Sequence, residues 1–120
     1  SGVGEITIID NDTVSPSNIN RQLIALHSNI GEKKIDVAEK RIKDINPFCI
    51  VHKYDTFFLP GMEENFPFSS FSYIVDAIDT VSGKIALVSI AHRLNIPITL
   101  LPDTTYLPCL RYISPLTLFA

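Results

Sequence analysis

Asp10, Asp12, Asn18, Arg21, Gln22, Lys34, Asp79 and Thr80 are the side chains with which this chain could do chemistry. The apolar run Glu5 to Ile9 ends on Asp10-Asn11-Asp12, and a polar loop then carries Asn18 and, three residues on, Arg21. An acidic residue at the carboxyl end of a buried strand can accept hydrogen bonds from ribose hydroxyls. An amide followed by a planar cationic fork suits phosphate oxygens. Lys34 falls in the first turn of a helix, where a cation opposes the helix dipole, so its place points to use on an anion. Asp79 and Thr80 stand between a strand and a helix. There a carboxylate can hold Mg²⁺ against triphosphate oxygens, or either residue can serve as the helix N-cap. The opposing reading puts Asp10 and Asp12 in a solvated turn, Arg21 in a surface ion pair and Lys34 in solvent. Which reading holds depends on whether the fold brings these groups to one place.

The elements that must position them follow from hydrophobic period and punctuation. Glu5 to Ile9 is β-branched and reads as a buried strand. Asn11 to Asn20 is polar, contains Pro16 and forms a loop, with a helical turn over Arg21 to His27. After Gly31, Ile35, Ala38, Ile42 and Ile45 recur at helical steps, which predicts a helix from about Glu32 to Asp44. It stops before Asn46-Pro47, because the proline ring disfavours a helical Asn46. Cys49 to Tyr54 alternates as a strand, and Thr56 to Ser70 is a loop whose Phe57, Phe58, Phe66 and Phe68 form a satellite core. A strand at Tyr73 to Val75, a helix over Thr80 to Leu94 and a strand at Ile96 to Leu101 complete the series. Apolar strands separated by helices predict an α/β fold, a Rossmann-like, mainly parallel sheet with helices on both faces. Residues 1–101 make one partial domain of this kind, and 102–120 is a tail with no clean period.

In an open parallel sheet, ligands collect outside the carboxyl ends of the strands. Asp10 after the first strand and Asp79 after the third belong there, and Lys34 joins them if its helix end faces the same crevice.

Composition narrows the class without naming it. One domain of 120 residues with 46% hydrophobic content can bury a core. The net charge of −3 lends no support to a strongly basic nucleic-acid surface, although a local patch could still meet RNA. No apolar stretch reaches the roughly 18 residues that span a bilayer. Cys49 and Cys109 form no Cys-x-x-Cys pair, so neither zinc nor redox chemistry is indicated and a reducing cytoplasm is expected. Cys49 reads as a buried small hydrophobe. His27, His52 and His92 have no nucleophile at a recognisable spacing.

Taken in order, Asp10-x-Asp12-x-Val14-x-x-Ser17-Asn18-x-x-Arg21-Gln22, Gly31-x-x-Lys34, Ile45-Asn46-Pro47 and Asp76-Ala77-Ile78-Asp79 resemble the HesA/MoeB/ThiF superfamily. These are ATP-dependent adenylating enzymes related to ubiquitin-activating enzymes. The resemblance covers about Gly4 to Thr99. Asn18 to Gln22, Ile45-Asn46-Pro47-x-Cys49 and Asp76 to Asp79 followed by Val81-x-x-Lys84 look most like the tRNA threonylcarbamoyladenosine dehydratases. The resemblance implies that Asp10 holds the ATP ribose, that Asn18, Arg21 and Lys34 contact phosphates, and that Asp79 binds Mg²⁺. Asp12, Gln22 and Thr80 are expected beside the nucleotide, with Gln22 bracing Arg21 or its loop. It further implies carboxylate adenylation, closure of the modified adenosine of tRNA to its cyclic form, and a homodimer in the intact family fold.

The family's glycine-rich phosphate loop, which follows a first strand, is not matched: Ser1-Gly2-Val3-Gly4 leads directly into a strand. After Thr99 the family pattern also stops. The expectation is therefore a fragment, or a truncated relative, that is inactive by itself because backbone amides of that loop anchor the triphosphate. Three other functions compete. One is an adenylating enzyme for a ubiquitin-like sulfur carrier, disfavoured by the lack of paired Cys-x-x-Cys. Another is a non-catalytic binding or dimerisation module with an apolar tail. The last is a nucleotide-dependent oxidoreductase, for which Asn18, Arg21 and Lys34 are excess phosphate ligands.

Overall fold

A computed structural model describes residues 2–100 and the backbone of 117–119; the rest of the stretch read as a tail lies outside the described residues. Strand β1 (Glu5–Ile9) pairs in parallel with β2 (Ile50–Tyr54), from Glu5 opposite Ile50 to Ile9 opposite Tyr54. Strand β3 (Ile74–Asp76) pairs in parallel with β4 (Ile98–Leu100). Between the two pairs lies β5 (Thr117–Phe119), antiparallel to both β1 and β3, so the sheet order is β2-β1-β5-β3-β4. The sheet is thus mainly parallel, as the apolar strands predict. An antiparallel strand at its centre is a feature that no residue pattern in the tail announced.

Two helices cover the sheet: α1 (Lys34–Ile45) and α2 (Val81–Leu94). Successive strand residues point to opposite faces, and β1 shows the consequence. Ile8 packs with Ile35 and Ala38 of α1, whereas its neighbour Ile9 joins Leu87, Ile90 and Ala91 of α2. The expected phenylalanine cluster belongs to this second core. Phe58, Phe66 and Phe68 are buried in it and meet edge-on, with Phe58 and Phe68 ring centroids 5.7 Å apart. Phe57 departs from that expectation and is 58% exposed. Cys49 is buried and free.

Element ends follow local chemistry. Helix α1 stops at Asn46, which is extended at φ −139° as the following proline requires. Helix α2 ends on Asn95 in the left-handed region at φ 55°, and the Ile96 N–H returns to the Ala91 carbonyl at 2.8 Å. That cap takes Ile96 out of the strand expected from residue 96. The helical turn expected over Arg21 to His27 resolves instead into short 3₁₀ turns at Pro16–Asn18 and His27–Asn29. Pro16 leads the first, where its fixed φ and missing N–H are tolerated. Among the described residues, no helix is long and apolar enough to cross a membrane.

Ile8 is fully buried. Ile8→Val removes one methylene from the α1 core and should lower unfolding stability by about 1 kcal/mol, read from the urea midpoint at unchanged m-value.

Candidate functional site

The order β2-β1-β5-β3-β4 places the reversal of the chain's path between β1 and β3. In open α/β sheets the ligand crevice forms outside the carboxyl ends of the strands at such a point. Asp10 follows β1 there, and Asp76 ends β3.

Asp10 is 6% exposed. Its Oδ1 accepts the Asp12 N–H at 2.8 Å, while Oδ2 is buried with no hydrogen-bond partner among the described residues. Burial pushes its carboxyl up to about 6, against the opposing pull of the Asp12 N–H and the charge of Lys34. An ionised oxygen without a donor is a costly thing to bury, and a ligand hydroxyl would relieve it.

Lys34 reaches this point from 22 residues away because the loop and the start of α1 are stitched together. The Val14 N–H bonds the Glu32 carbonyl at 2.8 Å, the Gly31 N–H bonds the Val14 carbonyl at 2.8 Å, and the Lys34 N–H bonds the Asp12 carbonyl at 3.0 Å. Thr13 and Lys33 form an antiparallel bridge. Gly31 takes φ +87°, a turn that a side chain would strain. The result is a Lys34 that is 3% exposed, with Nζ 3.4 Å from Asp12 Oδ2. The opposing reading of a solvated Lys34 does not hold.

On the other side, Asp76 is fully buried; its Oδ1 accepts the Ile78 N–H at 2.8 Å, and Lys84 Nζ lies 3.4 Å from Oδ2. This bend presents Asp79 and Thr80, both exposed, at the start of α2. Thr80 occupies the N-cap position, but its side chain makes no capping hydrogen bond.

Asp10, Asp12, Asp79 and Thr80 line one cleft of about 110 Å³, with Ile9, Phe57, Phe58, Leu59 and Ile78 as its apolar wall. Phe57, Leu59 and Ile78 went unmarked in the sequence as lining residues. The available signal was their place directly after two strands whose carboxyl ends face the crevice. Asn18, Arg21 and Gln22 do not line the cleft. Asn18 is buried and its Oδ1 accepts the Ser15 N–H at 3.0 Å, which braces the loop. The Arg21 guanidinium donates to the Ser17 carbonyl. Gln22 is buried, with Oε1 lacking a hydrogen-bond partner among the described residues. A larger hollow of about 560 Å³ sits by Glu5, Thr7, His52 and Tyr73, and contains none of these candidates. Among the described residues, no cluster of three or more His, Cys, Asp or Glu forms a ready metal site.

The sequence pattern of the ThiF family matches residues 1–100. The chain belongs to the ThiF family. This ThiF-family chain is 42% identical over 98 residues to tRNA threonylcarbamoyladenosine dehydratase of Escherichia coli, covering 82% of itself and 37% of that protein. It is 41% identical over 98 residues to the enzyme of the same name from Bacillus subtilis, covering 82% of itself and 39% of that protein. It therefore spans about two fifths of the length of these relatives. A solved structure of the E. coli dehydratase in complex with ATP superposes with a TM-score of 0.78 at 41% identity, covering 82% of this chain and 41% of that one. The Rossmann-like architecture read from the strands is shared with that structure.

Proposed function

We propose that this ThiF-family domain binds ATP in the cleft at the β1–β3 reversal and belongs to an enzyme that adenylates a carboxylate. The substrate we assign is the threonylcarbamoyl carboxylate of a modified tRNA adenosine, which closes to its cyclic form as AMP leaves. One observation carries the reading: Asp10, Asp12 and Asp79, scattered along the chain, line a single cleft, and the Lys34 ammonium stands 3.4 Å from the Asp12 carboxylate on that rim. Likeness to a dehydratase solved with ATP supports the same ligand.

The donor set fits the nucleotide. The orphaned Oδ2 of Asp10 is an acceptor suited to a ribose hydroxyl. Lys34 supplies a cation at the amino end of α1, where the helix dipole also favours an anion. Arg21 would reach the phosphates from the adjoining loop, with Asn18 and Gln22 holding that loop in shape. Phe57, Leu59 and Ile78 offer an apolar surface to the base. Asp79 would hold Mg²⁺ jointly with phosphate oxygens, since Mg²⁺ is commonly held by one or two carboxylates plus substrate phosphates. Bound there, the ion would neutralise charge on the phosphates.

Attack of a carboxylate oxygen on the α-phosphate expels pyrophosphate and needs no protein nucleophile. It needs alignment and fixed positive charge. Lys34 and Arg21 would supply that charge from the rim of the cleft.

Two measurements test the reading. In an ATP titration followed by amide NMR, shifts should concentrate at Asp10, Asp12, Lys34, Asp79 and Thr80; shifts confined to other residues would remove the site. ATP–pyrophosphate exchange, assayed in an intact ThiF-family enzyme that carries this domain, should depend on tRNA bearing threonylcarbamoyladenosine. Stimulation instead by a ubiquitin-like carrier ending in Gly-Gly would transfer the assignment to a sulfur-carrier pathway. ATP binding with neither acceptor active would favour a non-catalytic module.

A further inference from the structure

We infer that Asp12, at the rim of the cleft, serves ATP binding as a positioning residue for Lys34; this rests on the ATP reading above. Three observations converge on the pair. The Asp12 carbonyl accepts the Lys34 N–H at 3.0 Å, so backbone links the two residues directly. The Asp12 carboxylate stands 3.4 Å from Lys34 Nζ, adding a side-chain link to the same residue. The Asp12 N–H is held in turn by Asp10 Oδ1 at 2.8 Å, which ties the carboxylate that faces the ribose to the one that faces the cation.

The physical need is plain. The Lys34 side chain is 4% exposed and sits at the amino end of a helix, where its charge meets the positive end of the dipole. A cation so placed requires an anion beside it. Among the described residues, Asp10 competes with Asp12 for that role, since the charge of Lys34 also acts on Asp10. Were Lys34 to close on Asp10, it would occupy the oxygen that the ribose needs and withdraw the ammonium from the phosphates. Asp12 opposes this by pairing with the ammonium at 3.4 Å. The Asp12 side chain is 46% exposed, so it can turn into solvent when a phosphate takes over its partner.

The test is a double-mutant cycle on the 120-residue protein. ATP binding is read by calorimetry with and without Mg²⁺, beside the ¹⁵N resonance of the Lys34 ammonium in the absence of nucleotide. Asp12→Asn should weaken ATP binding about fivefold, the upper end for a half-exposed pair, equally with and without Mg²⁺. The loss should vanish in a Lys34→Met background. Asp12→Asn should also shift the Lys34 ammonium resonance and speed exchange of its protons with water. Additive losses, or a loss seen only with Mg²⁺, would make Asp12 a direct ligand and overturn the inference. If the parent protein binds no ATP, the nucleotide reading fails by itself, and the ammonium resonance then decides: unchanged in Asp12→Asn, it overturns the positioning role.

Discussion

Raising the pH from 4 to 7 should cost this protein about 2 kcal/mol of stability relative to its Asp10→Asn variant. The Asp10 carboxyl stands at about 6 in the fold against an ordinary 3.8, chiefly because it is buried. The folded chain therefore holds this proton more tightly than the unfolded chain does. Stability from the neutral acid is fully present below about pH 4 and is lost as pH rises through about 6. About two units of difference at roughly 1.36 kcal/mol each set the size of the effect. The amide in the variant cannot ionise, so subtracting the variant's urea-derived unfolding free energy from that of the parent isolates Asp10 from the surface acids. Asp36 works in the opposite sense: its bond to Lys53 lowers its carboxyl, so the raw pH profile mixes both trends. A parent-minus-variant difference that stays flat between pH 4 and 7 would show that Asp10 is not charged at a cost. The same ionised oxygen explains why the cost is retained. ATP should bind more tightly above about pH 6 than below it, and Asp10→Asn should lose that dependence together with much of the affinity.

Lys34→Ala should lower the rate of carboxylate adenylation by about 100- to 1,000-fold, the usual consequence of deleting one preorganised charge from a site where anionic charge develops. Pyrophosphate exchange at saturating ATP, in an intact ThiF-family enzyme that carries this domain, is the readout, because the deficit belongs mainly to kcat if the ammonium stabilises departing pyrophosphate. Lys34→Arg should recover part of it, limited by a planar head that cannot occupy the same buried point. The variant has a second signature that needs no substrate. Lys34 helps hold the Asp10 carboxyl down against burial, so its removal should move the Asp10 titration above about 6. A Lys34→Ala protein with unimpaired exchange would detach this lysine from the chemistry.

Much of this architecture is legible in the residues. Ile8 and Ile9 announce a strand buried on both faces, and the Ile35, Ala38 and Ile42 period announces the helix that covers one of them. Pro47 marks the end of that helix, and the observed stop at Ile45 follows. Local sterics and period 2 or 3.6 patterning act over a few residues, so they can be read from a few residues. The site is partly legible for the same reason: the carboxyl end of a parallel strand is a predictable place, and Asp10 and Asp79 sit at such ends.

Other features depend on distant partners. Arg21 and Asn18 have side chains that look alike in sequence whether they face a phosphate or brace a loop, and Asn18 is engaged with the Ser15 N–H. Phe57 and Phe58 are identical neighbours that both line the cleft, yet one is 58% exposed and the other is buried in the core. Nothing in the tail foretells an antiparallel β5 between β1 and β3, since strand direction is set by the neighbours that a segment meets.

The chain by itself determined its family, its alternation of strands and helices, and the chemical types available at the strand ends. These rest on residue identity and short-range periodicity. The tertiary structure decided which groups share a boundary: it buried Lys34, set its ammonium against Asp12 across 22 residues, and left Asp10 Oδ2 without a donor. Those outcomes are properties of burial and of long-range backbone pairing. Charge, dielectric and hydrogen-bond supply at a point in space come into being when remote segments close around it.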